Sequence, residues 1–377
     1  MKIIFTCGGT AGHGNPALAL AGLVKDRKPD SEILFVGANR GIEQRLIKNA
    51  GWKFQAIEIS SFHRSLRPSE VKHNIISMRN LFSSANEAKA LLKKFPADLV
   101  VGTGGYASYP MIRAAATKGI PTAIHESNAI PGLTTRMLED YSNLIMVGFE
   151  ECRRNYKNPS KVIVTGTPVR GDFFRLSKRE AKIRLKMDDG RPLIVSFWGS
   201  LGAEEMNRQM AEFIAMEARA QPFHHVHGAG TIGYAHMTGH LRDAGVDISR
   251  IACLDVREYI DDMGTLMRAA DLVICRAGAS TISELTALGV PAIIVPSPNV
   301  VHNHQEHNAK VLANAGGAVM ILEKACSGQL LYRTACSILH DQHRRQSMSL
   351  AMADLGVIDA ADNIYNAVMD LLRRQSV

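Results

Sequence analysis

Met1-Lys2-Ile3-Ile4-Phe5-Thr6-Cys7-Gly8-Gly9-Thr10-Ala11-Gly12-His13-Gly14-Asn15-Pro16 opens the chain. Residues 2–7 form a short β-rich run, and glycines take over where it ends. Asn15 and Pro16 then supply an N-cap and a first helical residue for a helix predicted through Lys25. Strand, glycine turn and helix make the unit from which parallel sheets are built. Unpaired amides and the positive end of the helix dipole converge on such a turn, which suits phosphate or another anion. The spacing matches neither a P-loop nor a clean dinucleotide fingerprint. A tight turn that needs small residues explains the glycines equally well, so this loop alone leaves ligand binding open.

The theme repeats along the chain. Strands are predicted at 2–7, 32–37, 54–59, 98–102, 122–125, 144–147 and 161–165, and again at 193–197, 224–226, 251–254, 271–275, 292–295 and 318–321. Each run is followed by a turn and a longer helical pattern, and right-handed crossovers gather the turns along one sheet edge. Gly166-Thr167-Pro168-Val169-Arg170-Gly171-Asp172 separates the two series. At 377 residues the chain exceeds the roughly 250–300 at which a single core stops growing. The expectation is α/β, with two doubly wound Rossmann-like domains facing a cleft: residues 1–165, residues 166–355, and a last helix within 356–377 that packs on either domain.

Composition narrows the class. Charged residues at 21% and hydrophobic residues at 46% fit a globular protein and exclude disordered and fibrous chains. A net charge of +8 favours a polyanionic partner, be it nucleic acid, anionic lipid or a phosphorylated substrate. Basic and aromatic residues are not interleaved and no nucleic-acid module is recognised, so nucleic acid is not expected. The six cysteines form no C-x-x-C pair, and reduced thiols in a cytosol fit best. The first apolar run is too short for a signal peptide and no run reaches the length of a membrane span. Membrane contact would therefore come from a surface patch. A predicted helix at 71–94 carries Ile75, Met78 and Phe82 along one stripe, with Lys72, Arg79 and Lys89 beside it. It reads either as a core helix with a solvated face or as a patch that settles on anionic headgroups.

Three further glycine loops follow strands: Gly102-Thr103-Gly104-Gly105-Tyr106, Gly199-Ser200-Leu201-Gly202-Ala203 and Arg276-Ala277-Gly278-Ala279-Ser280-Thr281. Four such loops at carboxyl ends of strands are hard to explain as turns alone. Glu284, inside the last of the following helices, could accept two hydrogen bonds from a ribose diol, or could simply favour the helix dipole. The polar segment Val301-His302-Asn303-His304-Gln305-Glu306-His307-Asn308 suits the reading of sugar hydroxyls. Neither His302/His304/His307 nor His224/His225/His227 has the spacing of a familiar zinc site, so no metal and no cofactor is expected. His13 either caps its loop or takes a hydroxyl proton. His125 and Glu126 read as structural or catalytic.

Taken together, Gly8-Gly9-Thr10-Ala11-Gly12-His13, Gly102-Thr103-Gly104-Gly105-Tyr106, His125-Glu126-Ser127-Asn128-Ala129-Ile130-Pro131-Gly132, Gly166-Thr167-Pro168-Val169-Arg170, Gly199-Ser200-Leu201-Gly202-Ala203, Tyr259-Ile260-Asp261-Asp262-Met263, Arg276 to Glu284 and His304-Gln305-Glu306-His307-Asn308-Ala309 resemble the blocks of the MurG glycosyltransferases of peptidoglycan synthesis, in order and spacing. Trp198 and Leu201 stand where that family usually has glycine and glutamine. The resemblance implies a GT-B fold and inverting transfer of N-acetylglucosamine from UDP-N-acetylglucosamine to the 4-hydroxyl of the muramyl sugar of lipid I, at the cytoplasmic face of the cell membrane. It implies acceptor contacts from Gly104, Gly105, Tyr106 and Glu126. By the same likeness Ile260 meets uracil, Glu284 the ribose, and Ser200 with Ala279, Ser280 and Thr281 the diphosphate. Asn128, Gln305 and His304 address the sugar, Arg170 lies near the phosphates, and Thr10, Ala11 and Gly12 join donor to acceptor, with His13 as the base. Other cell-wall synthesis proteins are implied as partners. A UDP-N-acetylglucosamine 2-epimerase, a different lipid-acceptor transferase of this fold and a non-catalytic nucleotide-sugar binding subunit are the rival readings.

Overall fold

The computed structural model describes residues 1–8, 11–39, 42–59, 84–199, 202–300 and 303–375. The chain forms two compact units, one of Met1–Val169 with Val357–Val377 and the other of Arg170–Gly356.

In the first unit the described strands are β1 (Lys2–Thr6), β2 (Glu32–Ala38), β3 (Phe54–Ile57), β4 (Leu99–Gly102), β5 (Thr122–Glu126), β6 (Leu144–Val147) and β7 (Val162–Val164). They pair in parallel in the order β3-β2-β1-β4-β5-β6-β7. Both faces of β1 are buried, which is why it reads as an apolar run rather than an alternation. Ile3 and Phe5 face a core shared with Leu20 and Val24 of the helix Ala11–Arg27 and with Ile364 and Val368 of the last helix, Ala360–Gln375. Ile4 and Val100 face the opposite core, with Met111 and Ile112 of the helix Ser108–Thr117. The last helix is also held by an ion pair between Asp362 and Arg27, whose guanidinium lies 4.7 Å over the Tyr365 ring.

The second unit repeats the plan with β8 (Leu193–Phe197), β9 (His224–Gly228), β10 (Leu254–Arg257), β11 (Leu272–Cys275), β12 (Ala292–Ile294) and β13 (Ala318–Met320), ordered β10-β9-β8-β11-β12-β13. In each sheet the strand order reverses beside the first strand, between β1 and β4 and between β8 and β11. Ligands of open parallel sheets bind outside the carboxyl ends of strands at such a switch point.

Two local expectations are corrected. The first helix begins at Ala11 instead of Pro16, which sits inside it. Proline's fixed φ suits a helix, and only the bond to the residue four before it is lost near the helix start. The strand expected at 251–254 lies instead at Leu254–Arg257, because Ile248–Arg250 form a 3-10 turn whose Asp247 cap delays it.

Candidate functional site

In the first unit the turns after β1 and β4 grip each other. The Gly8 amide donates to the Gly104 carbonyl at 3.2 Å. The Thr103 hydroxyl donates to the His13 carbonyl at 2.6 Å. Gly104 and Gly105 have positive φ, and a Cβ on Gly105 would sit 1.8 Å from the Gly8 oxygen. Those glycines are therefore required by the contact between loops as well as by their φ. His13 Nδ1 lies 2.7 Å from the Gly8 carbonyl oxygen. A carbonyl only accepts, so Nδ1 carries the hydrogen and Nε2 is the basic nitrogen. Beneath the loops lies the fully buried Glu43, which accepts from the Ala38 amide at 3.1 Å. Burial, reinforced by this carboxylate, pushes the Cys7 thiol up to about 12 and raises the Tyr106 phenol.

The turn after β5 is organised by Glu126. One carboxylate oxygen accepts from the Asn128 backbone and side chain, at 3.0 and 2.8 Å. The other accepts from the Gly132 amide at 2.9 Å and the Thr135 hydroxyl at 2.5 Å. Both oxygens of Glu126 are thus spent on its own loop. His125 is buried, donates from Nε2 to the Gly166 carbonyl at 2.9 Å, and is kept from protonation chiefly by burial. Of the structural and catalytic readings of this pair, the geometry supports the structural one.

In the second unit the turns after β8 and β11 open a pocket of about 520 Å³, lined among others by Trp198, Gly202, Arg276, Thr281, Gln305 and Glu323. Gly199 and Gly202 have φ of +93° and +81°, and a Cβ on Gly202 would lie 2.1 Å from the Ala229 oxygen. Two helices start here, Glu204–Ala220 and Ala279–Leu288, and neither Ala203 nor Gly278 caps with a side chain. Their first amides are left for another acceptor. The first helix carries Glu204 and Glu205 in its opening turn, whereas the second has no acid there. The start at Ala279, Ser280 and Thr281 is therefore the better anion site. Arg276 is locked by a 2.5 Å ion pair to Glu323 and by the Val295 carbonyl at 3.1 Å, its guanidinium 5.8 Å from the Trp198 ring.

Glu284 stands in the second turn of that helix, half-buried. Burial raises its pKa to about 7, opposed by the Arg170 charge and assisted by Asp172. Arg170 itself pairs with Asp172 at 3.3 Å. Ile260 is buried against Gly228, so its backbone is what it offers a ligand. Gln305 accepts from the Ser297 amide at 2.9 Å, which leaves its NH2 end to donate. His304 opens the helix His304–Asn314 after Asn303 in a left-handed conformation, and Asn308 ties that helix to the β11 turn through the Ala277 carbonyl at 3.2 Å.

The family profile described as the glycosyltransferase family 28 N-terminal domain matches residues 3–147, and the C-terminal domain profile matches residues 193–364. A UDP-N-acetylglucosamine–N-acetylmuramyl-(pentapeptide) pyrophosphoryl-undecaprenol N-acetylglucosamine transferase of Acetivibrio thermocellus is 38% identical over 376 residues, covering 100% of both chains. Its counterpart in Ruminiclostridium cellulolyticum is 36% identical, covering 99% of this chain and 100% of its own. The chain belongs to the MurG family, within glycosyltransferase family 28. Among solved structures, Acinetobacter baumannii MurG superposes with a TM-score of 0.75 at 24% identity, covering 98% of this chain and 99% of its own. A Listeria monocytogenes protein described as a putative UDP-N-acetylglucosamine 2-epimerase gives 0.69 at 13% identity, covering 99% and 97%. At those identities the likeness is one of fold, and the fold is GT-B.

Within this MurG-family chain, His13, Gly104, Gly105 and Tyr106 gather at the β1/β4 switch point, while Ala279, Ser280, Thr281, Glu284 and Gln305 gather at the β8/β11 end. Glu126 and Asn128 lie on the turn after β5, Ile260 after β10, and Arg170 where the second unit begins. Thr10, Ser200 and the membrane stripe Ile75, Met78 and Phe82 lie outside the described residues, as does the side chain of Ala11. Sequence reading missed Glu43, the packing of Trp198 with Arg276 and Glu323, and the row that Ser196 builds with His225 and His227, two histidines weighed only as metal ligands. Glu43 reads as an ordinary acid in a helix's first turn, and only tertiary placement buries it.

Proposed function

We infer that this chain is the N-acetylglucosaminyltransferase that converts lipid I to lipid II in peptidoglycan synthesis. The observation that carries this reading is identity of 36–38% along essentially the whole length of relatives bearing that activity in their names. The epimerase reading rests on fold likeness at 13% identity and has no comparable support.

In the proposed reaction the acceptor 4-hydroxyl attacks the anomeric carbon of UDP-N-acetylglucosamine, the bond from that carbon to the diphosphate oxygen breaks, and UDP leaves with inversion. His13 Nε2 takes the hydroxyl proton, since Nδ1 is committed to Gly8. The uncapped helix start at Ala279–Thr281 holds the diphosphate, where fixed amides meet the charge that develops on the leaving group. Glu284 takes the ribose, the Ile260 backbone the uracil, and Gln305 with His304 the sugar. Asn128 joins Gln305 and His304 on the sugar, and Glu126, whose carboxylate shapes the loop that carries Asn128, serves the acceptor. Arg170 supports the donor side.

The work is done at a membrane surface, because the acceptor is a lipid. No described helix is long and apolar enough to cross a membrane. Ile75, Met78 and Phe82 are the proposed contact, and replacing Ile75 and Phe82 with serine should reduce binding to anionic liposomes while the fold is retained.

The deciding assay is UDP release from UDP-N-acetylglucosamine with a short-chain lipid I analogue, with mass analysis of the product. Acceptor-dependent release and a new disaccharide are expected. Formation of UDP-N-acetylmannosamine, or release that ignores the acceptor, would overturn the reading.

A further inference from the structure

Behind the pocket of the second unit, five polar side chains run in one row through an apolar core. Glu217 Oε1 lies 2.7 Å from His225 Nδ1, and His225 Nε2 lies 2.7 Å from the Ser196 hydroxyl. The same hydroxyl lies 2.7 Å from His227 Nδ1, and His227 Nε2 lies 3.3 Å from Asn207 Oδ1. Asn207 Nδ2 donates to the Ala229 carbonyl at 2.9 Å. All five side chains are buried. Around them are Met206, Met210, Phe213, Ile214 and Leu254.

The hydrogens of this row can be assigned from its pocket end. Asn207 gives its NH2 to a backbone carbonyl, so Oδ1 faces His227 and can only accept. His227 Nε2 must carry a hydrogen. Burial, reinforced by the neighbouring His225, lowers the His227 pKa to about 3, so its ring is neutral and Nδ1 is bare. The Ser196 hydroxyl therefore donates to His227 Nδ1 and accepts from His225 Nε2–H. One hydrogen remains on the line between His225 Nδ1 and Glu217 Oε1. The four links from His225 Nε2 to the Ala229 carbonyl then point the same way, and none of them can reverse without breaking its neighbours.

The row ends at the donor pocket. Asn207 lies in the first turns of the helix Glu204–Ala220, whose opening residues Glu204 and Glu205 line the pocket. The Ala229 oxygen that it holds is the atom against which Gly202 packs. Ser196 immediately precedes Phe197, Trp198 and Gly199, which line the same pocket. Buried polar rows in an apolar core are costly unless each member is satisfied, and a simple core would use apolar residues here.

We propose that Glu217, His225, Ser196, His227 and Asn207 form a positioning row, one-directional from His225 to the Ala229 carbonyl, that fixes the β8 turn and the helix start against the diphosphate of the nucleotide-sugar donor. The inference rests on the second unit being the donor site. None of the five touches substrate; each acts through Asn207 and the Ala229 carbonyl on the turn at Gly202.

Two measurements on the full chain test it. Two-bond proton–nitrogen spectra of protein labelled at histidine should show His227 as the neutral Nε2–H tautomer; an Nδ1–H tautomer would overturn the row. Titration with UDP and steady-state kinetics follow for Ser196→Ala, which cuts the middle, and Asn207→Ala, which cuts the pocket end. A rise of about tenfold in UDP Kd and in donor KM is expected, with kcat within about threefold, and Ser196→Thr, which keeps the hydroxyl, should restore both. Folded variants that bind UDP like the wild type would sink the proposal, and so would variants whose loss falls in kcat alone. A wild-type chain that does not bind UDP would instead overturn the donor-site reading beneath it. Should either variant fail to fold, the tautomer of the wild-type protein still decides.

Discussion

At the residue scale, the proposed chemistry turns on two groups. Glu284 has its pKa raised to about 7, well above the 4.5 of an unperturbed glutamate, by burial. Its contribution to folding is therefore fully present below about 4.5 and fades as pH rises through about 7. If Glu284 takes the ribose as proposed, the ribose hydroxyls donate to the ionised carboxylate, so UDP binding should tighten over the same rise and release a proton. Calorimetry in buffers of different ionisation heat reads that proton. Glu284→Gln should flatten the pH dependence and raise donor KM roughly tenfold to a hundredfold, the range of hydrogen bonds to a charged group. An unchanged KM would remove the ribose assignment. His13→Ala should lower kcat at saturating substrates by about a hundredfold or more with little change in donor KM. Near-full turnover would end its role as base.

At the element scale, the glycine turns are held by contacts between loops, and the sequence could not reveal which glycines matter most. Gly105 combines a φ of +78° with a Gly8 oxygen 1.8 Å from any Cβ, whereas Gly51 has a φ of +80° and nothing nearby. Gly51→Ala should cost about 1 kcal/mol, the left-handed penalty alone. Gly105→Ala should cost about 2–5 kcal/mol, because a clash with backbone adds to that penalty. Urea denaturation compares the two, and equal costs would show that the β1 and β4 turns are not held together as described. The same lesson applies to Glu126. Beside an asparagine and near a glycine loop it looks like a site residue, yet four hydrogen bonds commit it to its own turn.

At the scale of the whole molecule, the chain leaves its first unit after Val169 and returns to it at Val357. The last helix completes the first unit's core through Ile364 and Val368, each worth about 1.5–3 kcal/mol when fully buried. Ile364→Ala with Val368→Ala should lower the melting of the first unit, while UDP should raise that of the second. Calorimetry with and without UDP separates the two transitions. A single transition shifted by both perturbations would mean that the units unfold together.

Periodicity and turn chemistry are local properties, and they were enough to locate twelve of the thirteen described strands, both parallel sheets and four loops at strand ends, because a strand buried on both faces writes itself as an apolar run closed by glycine; the strand at Leu254–Arg257 was displaced by the 3-10 turn before it. The identity of the family was also legible, since eight motifs in fixed order leave little room for coincidence. The direction of the His225–Ser196–His227 row, the burial of Glu43 and the occupation of both Glu126 oxygens were decided by tertiary structure. Each depends on residues distant in sequence meeting in a low-dielectric interior, where a polar group's role is fixed by the partner it finds.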